Sequence, residues 1–329
     1  MTTKSIAVPY RANVASDVRT LSILAIAVAA AALACAPFVL NDYQVNLVIE
    51  AMVFGIFAIG LNFLVGYTGL VSLGHAMFLG IGGYGFGIFT VLLDWPWWAA
   101  IPATILCSAV LSFLIGIVCI RSSGVGFFIM TLAFSELMYG LAFKTKLVGG
   151  DDGMSGISRP DIGFLGLDIY NPATLYGFML VAFAIVLFVS WRIIRSPFGM
   201  VLVGIRENES RMRALGYRTQ WYKMAVFTLS GMISSFGGVM LVIKTGFMSP
   251  ETLSWMMSGE GLLMVIVGGA GTFLGPVLGA AAYVLLRAGL TGITDHWILF
   301  LGSFFVLTVV FFRGGLIGLI SGAMAWVRR

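Results

Sequence analysis

The chain is 329 residues long, 60% hydrophobic and only 10% charged. A water-soluble globule keeps its apolar share nearer half, with about a quarter of its residues charged, so that class is excluded and an all-α polytopic membrane protein is expected. The formal net charge of +5 reads as a topology signal and not as an affinity for nucleic acid, because the basic residues gather between apolar runs.

One helical crossing of a bilayer takes roughly 20 apolar residues. Candidate spans fall at residues 20 to 40, 45 to 66, 76 to 93, 97 to 120, 125 to 143, 173 to 194, 224 to 243, 255 to 269, 273 to 291 and 297 to 312. About ten transmembrane helices are therefore expected. The eighth is short, so nine spans with a re-entrant segment is the competing count. No alternating pattern for a barrel is visible, and helices satisfy their own backbone in lipid. Residues 1 to 19 form an N-terminal tail, 20 to 320 the transmembrane domain and 321 to 329 a C-terminal tail.

The first run follows Lys4, Arg11 and Arg19 and contains Leu33-Ala34-Cys35, a faint match to a lipoprotein cleavage site. It has full span length and continues through Pro37 to Leu40, which favours an uncleaved first helix over a leader. Cys35, Cys107 and Cys119 all lie in apolar runs without metal spacing, and buried inert thiols are the default expectation.

A glycine-rich break, GYTGLVSLGHAMFLGIGGYGFG, occupies residues 66 to 87 after the second span. In or just before it stand the pathway candidates Asn62, Gly66, Gly69, Ser72, Gly74 and His75. A lone histidine in apolar surroundings is usually a satisfied structural donor; lining a path is the functional alternative. Further on, Glu136 in TLAFSELMYG is the one carboxylate well inside a span. An ionised group there needs a wet cavity or a partner, so it is a pathway candidate, with a helix-to-helix hydrogen bond by the protonated acid as the structural alternative. Glu50 and Glu260 fall near span ends, where the interface solvates them, and Arg287 lies where it can snorkel.

The connection from 144 to 172 carries Gly149, Gly150, Asp151, Asp152 and Gly153. Such a density of Gly and Asp produces tight turns and free carboxylates. A hinged lid, a platform for a soluble binding protein and a plain solvated connector all remain open for this outer loop.

Residues 195 to 223, RSPFGMVLVGIRENESRMRALGYRTQWYK, form the one polar, basic island, which suits a docking surface. Ser196 is placed to cap a helix that has Pro197 at its first position. Asn208 then caps a second, short helix, Glu209 to Leu215, that Gly216 ends in a left-handed turn. Arg211 and Arg213 ride on it, with Met212 and Leu215 as apolar contacts; an amphipathic loop lying on anionic lipid is the alternative.

The second break, GGAGTFLGPVLGAAAY, spans residues 268 to 283 and adds the path candidates Gly268, Gly269 and Gly271. Glycine breaks at corresponding places suggest two related halves and a translocation path between them. Close packing through the small-residue pairs Gly83 and Gly87, and Gly275 and Gly279, is the alternative reading.

With ten spans both termini share a side, and that side collects fourteen of the Lys and Arg residues, the polar island included, against four (Lys144, Lys146, Arg159 and Lys244) on the other. The excess marks the cytoplasm. Catalytic chemistry finds no support: there are two histidines, His75 and His296, no pair resembling a metal site, no Gly-x-Ser-x-Gly elbow and no GxxxxGK[ST] loop. No catalytic residue, metal or cofactor is assigned to this chain, and ATP hydrolysis by the usual phosphate-binding loop is excluded.

The segments LNFLVGYTGLVSLGHAMFLGIGGYG, GGDDGMSGI, RSPFGMVLVGIRENESRMRALG, GGAGTFLGPVLGA and FRGGLIGL resemble, in order and spacing, the LivM-type permease subunits of ABC importers for branched-chain amino acids, over residues 45 to 320. The resemblance implies a non-catalytic permease of the bacterial inner membrane. Its implied partners are a second permease, related or identical, two cytoplasmic ATPase subunits carrying ATP and Mg, and a periplasmic binding protein. It also implies that Glu207, Asn208, Glu209, Arg211, Arg213, Ala214, Leu215 and Gly216 form a coupling helix for an ATPase cleft, and that both glycine breaks line or support the path. Related permeases serve urea, amides and aromatic acids, so the substrate is the weakest inference.

A self-sufficient, proton-coupled secondary transporter using Glu136 or His75 is the alternative class. The scarcity of ionisable residues within the spans and the structured polar island both count against it. An enzyme acting on lipid is remote, because no acid–base pair shares a span.

Overall fold

Glycine decides where the helices of this chain begin, end and touch. Helix is the regular structure of the computed structural model, which describes residues 33, 35–163, 166–293, 296–311 and 315–318. In chain order the helices are α1 (Asp42–Val65), α2 (Ala76–Gly87) with a π-helical turn (Ile88–Leu92), α3 (Trp97–Cys119), α4 (Val125–Lys144) and α5 (Pro172–Ile194). Then follow α6 (Pro197–Ala214), α7 (Thr219–Thr245), α8 (Trp255–Gly268), α9 (Gly275–Thr291) and α10 (Trp297–Phe311). Most of the first apolar run, 20 to 40, and both tails, 1 to 19 and 321 to 329, lie outside the described residues. At the start of α1, Asn41 Oδ1 accepts from Gln44 N at 2.9 Å, an Asn cap.

The nine expected spans that fall on described residues form helices of two lengths. Five helices, α1, α3, α4, α5 and α7, are long and apolar enough to cross a membrane. The rest of the apolar helices are shorter: the 14 residues of α8 reach about 21 Å, against a hydrocarbon core of about 30 Å. The two glycine-rich segments leave the helical conformation, with Gly69 at φ +73°, Gly269 at φ +118° and Gly271 at φ +79°, and so separate α1 from α2 and α8 from α9.

The helix ends follow side-chain chemistry. Asn171 Oδ1 accepts from Ala173 N at 2.9 Å with Pro172 at the first position of α5. Gly246, at φ +69°, closes α7.

Packing is built on small residues. Thr104, Ser108, Ser112 and Gly116 repeat every fourth position on α3 as a buried stripe, Thr104 against Gly85 of α2 and the other three against α7; Ser108 Oγ donates to the Gly231 carbonyl at 3.3 Å. Between α2 and α7 the backbones themselves meet: a Cβ on Gly82 would strike the Ser235 carbonyl, and one on Gly238 the Leu79 carbonyl. Between α8 and α9 the same holds for Gly268 against the Gly275 carbonyl and Gly279 against the Met264 carbonyl. The Gly275 and Gly279 pair thus packs as expected. Gly83 and Gly87 instead face side chains, Met248 and Val242 for the first and Met154 and Ile157 for the second. Phe54, Leu61, Val265, Tyr283 and Val284 fill the space between α1 and the α8–α9 pair.

The expectation of three buried thiols needs correction. Only Cys119 is buried, whereas Cys35 and Cys107 are exposed. Cys107 stands on an outward face of α3, among the exposed Leu106 and Val110.

Candidate functional site

The polar island folds as a helix with one interruption. In α6 Asn208 leaves the helical conformation (φ −162°, ψ 96°), and its Oδ1 accepts from Arg211 N at 2.9 Å, the cap its position predicts. Leu215 ends the short second helix and Gly216 follows at φ +90°, while Tyr217 N returns to the Met212 carbonyl at 3.1 Å. Ser196 departs from expectation. It stands before Pro197, but its hydroxyl donates backwards to the Ile193 carbonyl at 2.6 Å and receives no N–H of α6.

Glu209 holds this short helix on the start of α7. Its Oε1 lies 2.6 Å from Arg213 Nη2 and accepts from Thr219 Oγ1 at 3.0 Å, and its Oε2 meets Lys223 Nζ at 2.5 Å. Lys223 is only 6% exposed, so Glu209 is the charge that makes its burial tolerable. Partial burial alone would raise the Glu209 carboxyl, but hydrogen bonds from Lys223 and Arg213 and the lysine charge outweigh it and hold the group below its usual value of 4.5. A carboxylate depressed in the folded state stabilises fully above its unfolded value, and that contribution is lost as the pH falls through the folded one. Glu209→Gln is therefore expected to cost about 2 kcal/mol at neutral pH, below the about 3–5 kcal/mol of fully buried pairs. In thermal melts the gap between wild type and variant should close as the pH drops below 4.5.

Met212 folds back over Gly204, which leaves Arg211, Ala214 and Leu215 outward, Leu215 being 67% exposed. Glu207 is exposed on the preceding turn. An exposed leucine flanked by arginine on a short, braced helix is a knob suited to a protein socket.

A residue that sequence reasoning passed over joins this helix to the glycine breaks. Arg206 Nη1 donates to the Gly66 carbonyl, a contact across 140 positions, and its side chain runs against Gly69 and Gly271. Next to it, Asn62 joins the two breaks: Oδ1 accepts from Gly271 N at 2.9 Å and Nδ2 donates to the Thr272 carbonyl at 3.0 Å. A Cβ on Gly66 would strike Asn62 Oδ1 and Gly271 N. Four of the sequence candidates, Asn62, Gly66, Gly69 and Gly271, thus meet with Arg206 at one junction, and Gly269 and Gly268 lead from it into α8. Asparagine carries an amide NH2 donor and a carbonyl acceptor on one short arm, which is what a bridge between two open backbone turns requires.

Ser72, Gly74 and His75 form a second group. Gly74 lies against the Thr131 carbonyl. His75 is fully buried, its Nε2 2.6 Å from Ser230 Oγ and its Nδ1 3.3 Å from Ser72 Oγ. Since Ser230 Oγ donates onward to the Gly60 carbonyl, it accepts from His75, which places the ring proton on Nε2. The Ala76 amide donates to Ser258 Oγ at 2.9 Å and the Leu73 amide to Thr131 Oγ1 at 3.3 Å, so neighbouring helices supply the acceptors that a non-helical segment lacks.

Glu136 joins neither group. Its Oε1 accepts from Trp255 N at 3.2 Å, at the first turn of α8, beside a bond from Ser135 Oγ to the Leu253 carbonyl at 2.7 Å. Glu136→Gln keeps an acceptor there and is expected to melt within about 0.5 kcal/mol of wild type, whereas Glu136→Ala should lose about 1 kcal/mol; equal melting of the two would remove this contact as the reason for the glutamate. Glu50 is not merely solvated: its carboxylate pairs with Lys244 at 2.6 Å and, more loosely, with Arg287 at 3.7 Å. Glu260 Oε2 accepts from the Tyr283 hydroxyl at 2.6 Å.

The 144–172 connection is pinned along its first half. Gly149, Gly150 and Gly153 take positive φ of 88°, 60° and 75° around a turn that leaves Asp151 and Asp152 exposed. Met154 and Met248 exchange both backbone hydrogen bonds at 2.9 Å, and Arg159 Nη2 donates to the Lys244 carbonyl at 3.1 Å. No group of three or more His, Cys, Asp or Glu placed to hold a metal occurs among the described residues.

Residues 43–326 match the family described as "Branched-chain amino acid transport system / permease component". The high-affinity branched-chain amino acid transport system permease protein LivM of Salmonella typhimurium is 30% identical over 304 residues, covering 85% of this chain and 71% of that protein. LivM of Escherichia coli K12 gives the same values, 30% over 304 residues with 85% and 71% covered. Among solved structures, PsaBC from Streptococcus pneumoniae in complex with Fab is similar at a TM-score of 0.41 and 15% identity, covering 84% of this chain and 94% of that one.

Proposed function

Because the chain belongs to the family of branched-chain amino acid transport permeases, we propose that it is the non-catalytic membrane subunit of an ATP-driven importer. In this reading it carries branched-chain or other hydrophobic amino acids from a periplasmic binding protein to the cytoplasm. Residues 20 to 320 are the permease domain, and both tails and the 195–223 segment face the cytoplasm. A second permease, related or identical, completes the path. Two ATPase subunits, which bind ATP and Mg, seat the Glu207 to Gly216 helix in their clefts.

The single observation that carries this reading is the continuity of α6 with both glycine breaks. As the ATPases close, the short helix moves with them; Arg206 passes the movement to the Gly66 carbonyl and Asn62 passes it to Gly271 and Thr272. Contacts between small residues, as at Gly82 and Gly268, let packed helices change their relative position at little steric cost.

The test is uptake of leucine into liposomes bearing this chain, its permease and ATPase partners and the binding protein. Uptake that needs internal ATP is the expected result. Uptake driven by a proton gradient through this chain alone would replace the proposal with the secondary transporter and turn attention to Glu136 and His75. Charge reversal at Arg211, which leaves the Glu209–Arg213 pair in place, should prevent the ATPases from co-purifying while leaving membrane insertion intact; normal assembly and uptake would defeat the docking assignment.

A further inference from the structure

At the foot of α3 and α7 there is a cleft of about 210 Å³ lined by Ile117, Ile120, Arg121, Gln220, Trp221 and Met224. A second cleft of about 500 Å³ shares Gln220 and Trp221 with it and adds Arg218 and Tyr217. Three properties of this surface point the same way. The guanidinium groups of Arg121 and Arg218 have no carboxylate partner among the described residues. Trp221, between them, is 63% exposed, the setting of an indole at a membrane boundary. Above Arg121, an apolar stripe of Leu106, Val110 and Phe113 on α3 is exposed and runs down through Ile117 into the cleft. The spacing of four, three and four residues keeps it on one helix face, and from Leu106 to Arg121 it covers about 22 Å of bilayer depth.

We propose that this surface is a specific site for one anionic phospholipid, with the phosphodiester between Arg121 and Arg218, the glycerol against Trp221, and an acyl chain along the Ile117–Leu106 stripe. A ligand must be anionic at one end and hydrocarbon at the other to satisfy the two halves of the surface together. A soluble partner reaches only the basic half, and a free phosphate gains nothing from the stripe. Basic pockets between helices on the cytoplasmic side are where such head groups bind, and the orientation proposed above puts this cleft there. Arg213 borders the second cleft as well, but it is held by Glu209 at 2.6 Å and is not assigned to the lipid.

The experiment is native mass spectrometry of the purified full-length chain, with any subunits that co-purify, titrated with phosphatidylglycerol or with phosphatidylcholine of the same acyl chains. Phosphatidylglycerol should be retained in preference. Arg121→Gln and Arg218→Gln should each lower its retention about fivefold, Arg121→Lys should keep most of it, and Lys144→Gln, at the far end of α4, should change nothing. Inorganic phosphate at equal concentration should not displace the lipid. Equal retention of the two lipids, or of phosphatidylglycerol by the arginine variants, would overturn the site. Complete displacement by inorganic phosphate would reduce it to a bare anion site, and loss of a co-purifying subunit with unchanged lipid would assign the surface to that subunit.

Discussion

Gly82→Ala and Gly268→Ala should each eliminate the folded, detergent-stable protein, while Gly140→Ala and Gly177→Ala leave it intact or slightly more stable. All four add the same methyl group to a helix. At Gly82 and Gly268 that methyl would occupy the place of the Ser235 and Gly275 carbonyls, whereas at Gly140 and Gly177 nothing lies within 4 Å of it. Overpacked side chains relieve themselves by changing rotamer, at a cost of about 1–3 kcal/mol. A backbone carbonyl in a helix has no rotamer, so relief requires α2 to separate from α7 or α8 from α9, and the penalty should pass about 4 kcal/mol, the range of exceptional substitutions. At the open sites the helix gains up to about 1 kcal/mol from replacing Gly by Ala. Size-exclusion profiles of solubilised variants after a heat step measure the difference, and a Gly82→Ala profile like wild type would mean that α2 and α7 do not pack backbone to backbone.

Much of this architecture was legible in sequence because it is written locally. Apolar runs of sufficient length marked α1, α3, α4, α5 and α7 within a few residues of their ends, since lipid demands that length whatever the neighbours are. The Asn208 cap and the Gly216 turn were legible for the same reason, each being a contact within a few positions of the residue that makes it. Where pattern failed, a distant partner was in control. The glycine-rich stretches are joined by Asn62 and Thr272, which are 210 positions apart, a contact that no local pattern reports. Glu136 stood out as a charge among hydrocarbon, but its contact with Trp255 N is set by how α8 begins after the 250–253 turn, which no periodicity reports. Arg206 looked like one more charge in a basic island; its distinction is that the Gly66 carbonyl lies within its reach.

Arg206→Ala should lower leucine uptake about tenfold per ATP hydrolysed in the reconstituted importer while the ATPases still co-purify, and Arg206→Lys should recover only part of the loss. The reasoning starts from what each contact is made of. The docking face, Arg211, Ala214 and Leu215, is braced by Glu209, Arg213, Thr219 and Lys223, none of which needs Arg206, so assembly is preserved. What disappears is, among the described residues, the side chain hydrogen-bonded from α6 to the first glycine break. A charged donor to a carbonyl contributes about 1.5–3 kcal/mol, and losing about 1.4 kcal/mol of coupling already amounts to a factor of ten. Lysine keeps the charge but not the fork that rests along Gly69 and Gly271. Asn62→Leu is the companion variant, because it leaves the Gly271 N–H and the Thr272 carbonyl unpaired behind a site only 3% exposed. It should cost about 2–5 kcal/mol of stability as well as uptake. The two variants separate transmission from architecture: Arg206→Ala should retain the wild-type melting temperature to within a few degrees, and a fall in stability as large as that of Asn62→Leu would make Arg206 a brace for the glycine breaks instead of their link to the ATPase.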